Sequence, residues 1–176
     1  RYGVPAFAHT VAMTLPGPAV ESIGTHTLDI LDRTVFAPST IPLARQGEII
    51  AAFGRLRLPD GTTPSYPIMF RRSEAVGANA LALPSGVIIV TDGLVELAKD
   101  DREILGVLSH EAGHVEQRHG LRQLLQNSIV TLVVAGYLGD VGGLVATAPT
   151  VLLQAKYSRD FEREADGYAV DVLRSN

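Results

Sequence analysis

Cysteine is absent from the 176 residues. That absence removes disulfide bonds, thiolate-ligated zinc and a cysteine nucleophile together, so any metal must be held by histidine and carboxylate. A basic stripe is missing too. Fifteen Lys+Arg (15) stand against 19 Asp+Glu for a formal net charge of -4, and the cations are scattered singly or in pairs, which argues against a nucleic-acid partner. No internal repeat, low-complexity tract or signal peptide is visible. Nor is there an unbroken apolar run of the ~20 residues that a simple membrane-spanning helix needs. The strongly apolar stretch 129–153 is cut by Gly136, Gly139, Asp140, Gly142, Gly143 and Pro149 into pieces of roughly 10 residues. It reads as buried or active-site-capping helices, or as a hairpin touching a membrane. The chain starts without Met, and the helical pattern at Val170 to Arg174 has no Gly or Pro to stop it. Further sequence is therefore expected at both ends.

What is present is enough for one core. With 46% hydrophobic residues, residues 1–176 read as a single domain. Apolar positions in Glu21 to Asp32 and in Arg45 to Leu56 recur at helical spacing, which makes 1–57 a helical scaffold. The turn-rich Leu58 to Pro64 precedes alternating Tyr66, Ile68 and Phe70. Asn79 to Leu83, a Pro84-Ser85-Gly86 turn and Val87 to Thr91 then complete a small, mainly antiparallel sheet within 64–91. Two helices follow. One runs over 100–120, capped by Asp100 or Asp101, and the other over 158–174, capped by Ser158 with acidic residues in its first turn. The fold class is α+β, mostly helical.

Three of the five histidines fall within ten residues, in Ser109-His110-Glu111-Ala112-Gly113-His114-Val115-Glu116-Gln117-Arg118-His119. Helical positions four apart differ by about 40° around the axis, so His110 and His114 can present two imidazoles to one ion. Glu111 lies about 100° from His110 and is placed to reach a water in the open position of a metal. A catalytic zinc needs a third protein donor, and Glu162-x-x-x-Asp166 supplies one. Glu162 can bind metal while Asp166, on the same helix face, accepts from the far ring nitrogen of His110. Glu164 competes as third ligand but faces nearly the opposite way from that pair. His119, about 140° round from His114 on a continuous helix, should point away from the metal. It is expected to satisfy a carbonyl at the helix end, with Gly120 as left-handed cap. His9 and His26 have no patterned partners. Gly106 and Gly113 are expected to permit close approach of the Glu162 helix or of a substrate.

These residues resemble the HtpX-like and CAAX-prenyl-protease-like zinc metallopeptidases, whose pattern couples His-Glu-x-x-His to a later Ser-Arg-x-x-Glu-x-Glu-Ala-Asp. Here Ser158-Arg159-Asp160-Phe161-Glu162-Arg163-Glu164-Ala165-Asp166 matches every fixed position. Upstream, Asn79-Ala80-Leu81-Ala82-Leu83-Pro84-Ser85-Gly86 and Thr91-Asp92-Gly93-Leu94 are similar as well. The resemblance implies a zincin-like catalytic domain with one zinc ion, Glu162 among its ligands, and a membrane connection. It also implies substrate binding by strand addition along Asn79, Ala80, Leu81 and Ala82. Family members usually carry a further C-terminal portion with a His-Pro pair and a basic residue that help stabilise the oxyanion, and this sequence ends before it.

The expected activity is therefore that of a gluzincin-type zinc metalloendopeptidase. Its metal would be held by His110, His114 and Glu162, with Glu111 as the general base and extended polypeptides as substrates. The expected setting is the bacterial cell envelope, membrane-associated and on the periplasmic face. Two rivals come from other classes: a zinc-stabilised holdase that captures misfolded proteins without cutting them, and a structural helical domain carrying the motif by chance.

Overall fold

A computed structural model describes residues 3–126 and 157–176. The apolar stretch 129–153, for which capping helices or a membrane hairpin are expected, lies outside the described residues. The chain opens with helices α1 (Gly3–Thr14) and α2 (Gly17–Thr34), then β1 (Ala37–Pro38) and α3 (Leu43–Phe53). Strands β2 (Ile68–Arg72), β3 (Ala80–Ala82) and β4 (Ile88–Thr91) follow, and after them α4 (Asp92–Leu97), α5 (Asp101–Glu116) and α6 (Arg159–Arg174). The architecture is α+β. Among the described residues, no helix is long and apolar enough to cross a membrane.

The sheet is mixed, with strand order β1-β2-β4-β3. β3 pairs antiparallel with β4, as the sequence suggests, and β1, within the stretch expected to be wholly helical, pairs antiparallel with β2. The central β2–β4 ladder is parallel. The connection after β2 carries the chain past the place β4 will take, so β3 forms the outer edge and the hairpin returns β4 between them. That hairpin closes through Pro84, Ser85 and Gly86, with Gly86 left-handed at φ 88°. The amide of Gly86 donates to Leu83 O (2.9 Å) and that of Leu83 to Val87 O (2.8 Å), a three-residue loop that favours glycine at its last position. β3 thereby leaves one side open.

Both faces of β4 are buried, which is why its sequence runs apolar without alternation. Ile88 and Val90 pack with Phe70 against Ile49 and Phe53 of α3 and Ile104, Leu108 and Ala112 of α5. Ile89 joins Leu83, Leu31 of α2 and Phe36 on the other face. Each such aliphatic side chain contributes about 1.5–3 kcal/mol relative to exposure. The centre of the sheet is thus buried along β4, with the histidine-bearing α5 lying across one face of it.

Side chains set the starts of α5 and α6. Asp100 caps α5 by accepting from the amides of Arg102 (2.9 Å) and Glu103 (3.3 Å), and Ser158 Oγ accepts from Phe161 N (3.2 Å) at the head of α6. Buried Asp92, at the start of α4, accepts from Ser39 Oγ (2.5 Å), Thr40 N (2.7 Å) and Thr40 Oγ1 (2.8 Å). It ties the segment before α3 to the end of β4. Burial pushes the Asp92 carboxyl up, but these hydrogen bonds and the Arg72 charge outweigh it and hold it below the ordinary carboxylate value. The stability it contributes is full above the unfolded-state pKa of about 4 and is lost as pH falls through the lower folded value.

α5 and α6 meet closely. A Cβ on Gly113 would lie 2.9 Å from Ala165 Cα, 3.1 Å from Ala165 O and 3.1 Å from Tyr168 Cβ, whereas one on Gly106 would meet nothing within 4 Å. The close approach expected of both glycines belongs to Gly113 alone. Gly106→Ala should therefore stabilise by up to about 1 kcal/mol, the ordinary helix gain. Gly113→Ala should destabilise by about 1–3 kcal/mol through overpacking; urea melts of the two variants check the opposite signs. Asp92→Ala should cost about 1–3 kcal/mol at neutral pH by stranding its donors. In the same melts that difference should shrink as pH drops below about 4.

Candidate metal centre

α5 and α6 bring together the side chains that the sequence pairs. His110 and His114 stand one turn apart on α5 with their Nε2 atoms 2.9 Å from each other. Glu162, in the first turn of α6, places Oε2 3.5 Å from His110 Nε2 and Oε1 3.8 Å from His114 Nε2. All three offer ligand atoms within 4.8 Å of one another. Donors bound tetrahedrally at about 2.0–2.1 Å would sit about 3.3 Å apart, so the set fits a zinc-sized ion with little movement. The donor types fit as well, two imidazoles and one carboxylate with no thiolate.

Burial prepares the second imidazole. His114 is 2% exposed, and its pKa is pushed down to about 3, chiefly by burial and further by the neighbouring His110 and His119 rings. A neutral ring with a free nitrogen is the form that binds metal. Tyr157 stacks on it at 4.2 Å between ring centroids. His110 is turned by Asp166, whose Oδ1 lies 2.9 Å from His110 Nδ1, the pairing that their spacing predicts.

Glu111 is buried beside these residues and reaches the sheet. Its Oε2 accepts from the amide of Ala82 at 2.8 Å. Burial pushes the Glu111 carboxyl up to about 7, against the opposing pull of His110 and the Ala82 amide. Because Asn79 O accepts from Thr91 N (3.0 Å) and Leu83 N donates to Val87 O (2.8 Å), the odd-numbered residues of this segment bond inward to β4. Ala80 and Ala82 then direct their backbone groups to the open edge. The Ala80 amide is covered by Asn79 Oδ1 (2.9 Å), and Leu81 is paired with Ile89.

Two expectations are corrected. His119 does not turn away to cap a carbonyl: it is fully buried, with Nδ1 2.9 Å from His114 Nδ1 and Nε2 2.9 Å from Glu164 Oε2. Nor does Gly120 supply the left-handed residue, which is Arg118 at φ 50°. α5 ends at Glu116, and the chain is helical again over 119–126, so angles counted along one continuous helix do not apply beyond the break. A left-handed arginine costs roughly 1–2 kcal/mol, and its guanidinium is held by Ala12 O (2.7 Å) at the end of α1. No glycine or asparagine marks this turn in the sequence, which is why His119, Glu164 and Arg122 escape a spacing argument. Glu164, the competing candidate ligand, is engaged by His119 and by Arg122 Nη1 (3.1 Å) instead. Burial pushes the Glu164 carboxyl up, but those two hydrogen bonds and the charges behind them hold it below its ordinary value.

Over 115 residues the chain is 32% identical to the Escherichia coli metalloprotease LoiP, covering 61% of this chain and 45% of that protein. It is 36% identical over 100 residues to the mitochondrial metalloendopeptidase OMA1 of Arabidopsis thaliana, 55% of this chain and 20% of that one. A putative beta-barrel assembly-enhancing protease of Vibrio cholerae is 23% identical over 193 residues, covering 97% of this chain and 40% of that protein. The chain thus spans less than half the length of each of these relatives. Residues 43–176, which include both metal-facing helices and the whole edge hairpin, match the description Peptidase family M48, and the chain belongs to that family.

Proposed function

We propose that the protein is a zinc-dependent metalloendopeptidase that cleaves extended polypeptide segments laid along the open edge of β3. One observation carries this reading. The Glu111 carboxylate accepts from the outward-facing Ala82 amide and lies near enough to His110 and Glu162 of the metal-capable group to feel their charges, so a base, a metal-capable donor set and a strand-binding edge lie side by side. A zinc ion held by His110, His114 and Glu162 would polarise a scissile carbonyl and acidify a water beside Glu111.

The chain's own residues divide the remaining work. Ala80 and Ala82 offer backbone groups to a substrate strand, which aligns the peptide by hydrogen bonds common to every sequence. Such a peptide displaces the Ala82 amide from Glu111 and frees the carboxylate for proton transfer. Glu111 takes the proton from water and returns it to the leaving amine. Asp166 holds the His110 ring, and Tyr157 holds the face of His114. Backbone reading suits unfolded or misassembled proteins as substrates. The alignment of nearly all of this chain with 40% of a relative named as a putative beta-barrel assembly-enhancing protease supports a bacterial envelope setting, membrane-associated and facing the periplasm.

The zinc-loaded protein should cleave an unstructured protein such as casein, lose that activity on chelation and regain it with zinc. Glu111→Gln should lower the cleavage rate by about 10²–10⁴-fold while leaving zinc content and polypeptide binding in place. Undiminished cleavage by Glu111→Gln would sink the mechanism. Polypeptide binding without cleavage by the wild-type protein would favour a holdase.

A further inference from the structure

The two histidines of the metal centre are backed in different ways. His110 leans on Asp166, whose side chain is 71% exposed. Behind His114 lies a chain of contacts that continues through a second, fully buried imidazole to a partly exposed carboxylate. His114 Nδ1 meets His119 Nδ1 at 2.9 Å, and His119 Nε2 meets Glu164 Oε2 at 2.9 Å. Glu164 Oε2 in turn receives Arg122 Nη1 at 3.1 Å. Flat contacts fix both rings of this chain, Tyr157 against His114 and Phe161 against His119. His119 stacks on Phe161 at 4.3 Å with 12° between planes, and the Arg122 guanidinium covers the same Phe161 at 4.2 Å.

The hydrogen-bond roles along the chain follow from its far end. An ionised carboxylate bound by an arginine only accepts, so His119 Nε2 must carry the proton it donates to Glu164. A neutral His119 then has a bare Nδ1, which can only accept from His114 Nδ1–H. That leaves His114 with a bare Nε2, the atom facing His110 and Glu162. Resting on the metallopeptidase reading above, we propose that His119 is a positioning residue. With Glu164 and Arg122 it forms a relay that fixes the His114 tautomer and ring orientation, so that Nε2 is presented to the metal before the metal arrives.

The relay also explains the left-handed Arg118. Without that turn the helix would carry His119 about 140° away from His114, and Nδ1 of His114 would lie buried with no acceptor. Partners of this kind are worth about 10–100-fold in metal affinity.

Zinc affinity, measured by competition with a chelator, tests the proposal with two variants whose order separates relay from packing. His119→Phe keeps a flat ring on Phe161 but removes the acceptor, and should weaken zinc about 10–100-fold. His119→Asn loses the ring but can place Oδ1 where Nδ1 stood, and should bind zinc more tightly than His119→Phe. A packing role alone gives the reverse order, and either that order or wild-type affinity in His119→Phe overturns the relay. Nitrogen NMR of the imidazoles in the zinc-loaded wild type needs no variant to fold. It should show His119 protonated at Nε2 and bare at Nδ1, and protonation at Nδ1 overturns the assignment. Failure of the wild type to bind zinc refutes the metal reading itself and the relay with it, whereas failure in the variant order or the NMR refutes the relay alone.

Discussion

The approach of α6 to α5 is the contact on which the centre depends. Two donors come from one helix and the third from the other, so the spacing of their ligand atoms is set by how closely the backbones meet. Gly113 permits that distance, because a Cβ there would collide with the backbone of Ala165. The groups that matter surround this crossing: His110 lies three residues before Gly113 and His114 directly after it on α5, and Glu162 lies three before Ala165 and Asp166 directly after it on α6. The buried sheet holds α5 from beneath through Ile104, Leu108 and Ala112. It also brings the β3 edge to Glu111.

Much of this could be read from the chain alone because it rests on local rules. Pairs four residues apart share a helix face, so His110 with His114 and Glu162 with Asp166 were legible without knowing the fold. Ser158 could be recognised as a cap because its hydroxyl answers amides only three residues away. The β3–β4 hairpin announced itself through Pro84-Ser85-Gly86. What escaped depends on the tertiary arrangement. The parallel β2–β4 pairing follows from where β3 lands at the edge, and no local pattern records that. The inward turn of His119 depends on a left-handed arginine, stabilised by a carbonyl of α1 more than a hundred residues earlier.

That turn changes the picture of the site. Helical spacing alone pairs two histidines and a carboxylate with one supporting aspartate. Folding adds a second layer in which His119, Glu164, Arg122, Tyr157 and Phe161 enclose His114 by hydrogen bonds and ring stacking. His114 is therefore the buried member of the pair, and His110 the one nearer solvent. The chain belongs to Peptidase family M48, and on the reading proposed above Glu111 would act as the base beside an open strand edge.

X-ray absorption at the zinc edge of the metal-loaded protein tests the ligand set most directly. The account predicts a four-coordinate ion with two imidazole nitrogens at about 2.0–2.1 Å and oxygen completing the shell. A shell with three imidazoles, or with fewer than two, would contradict it.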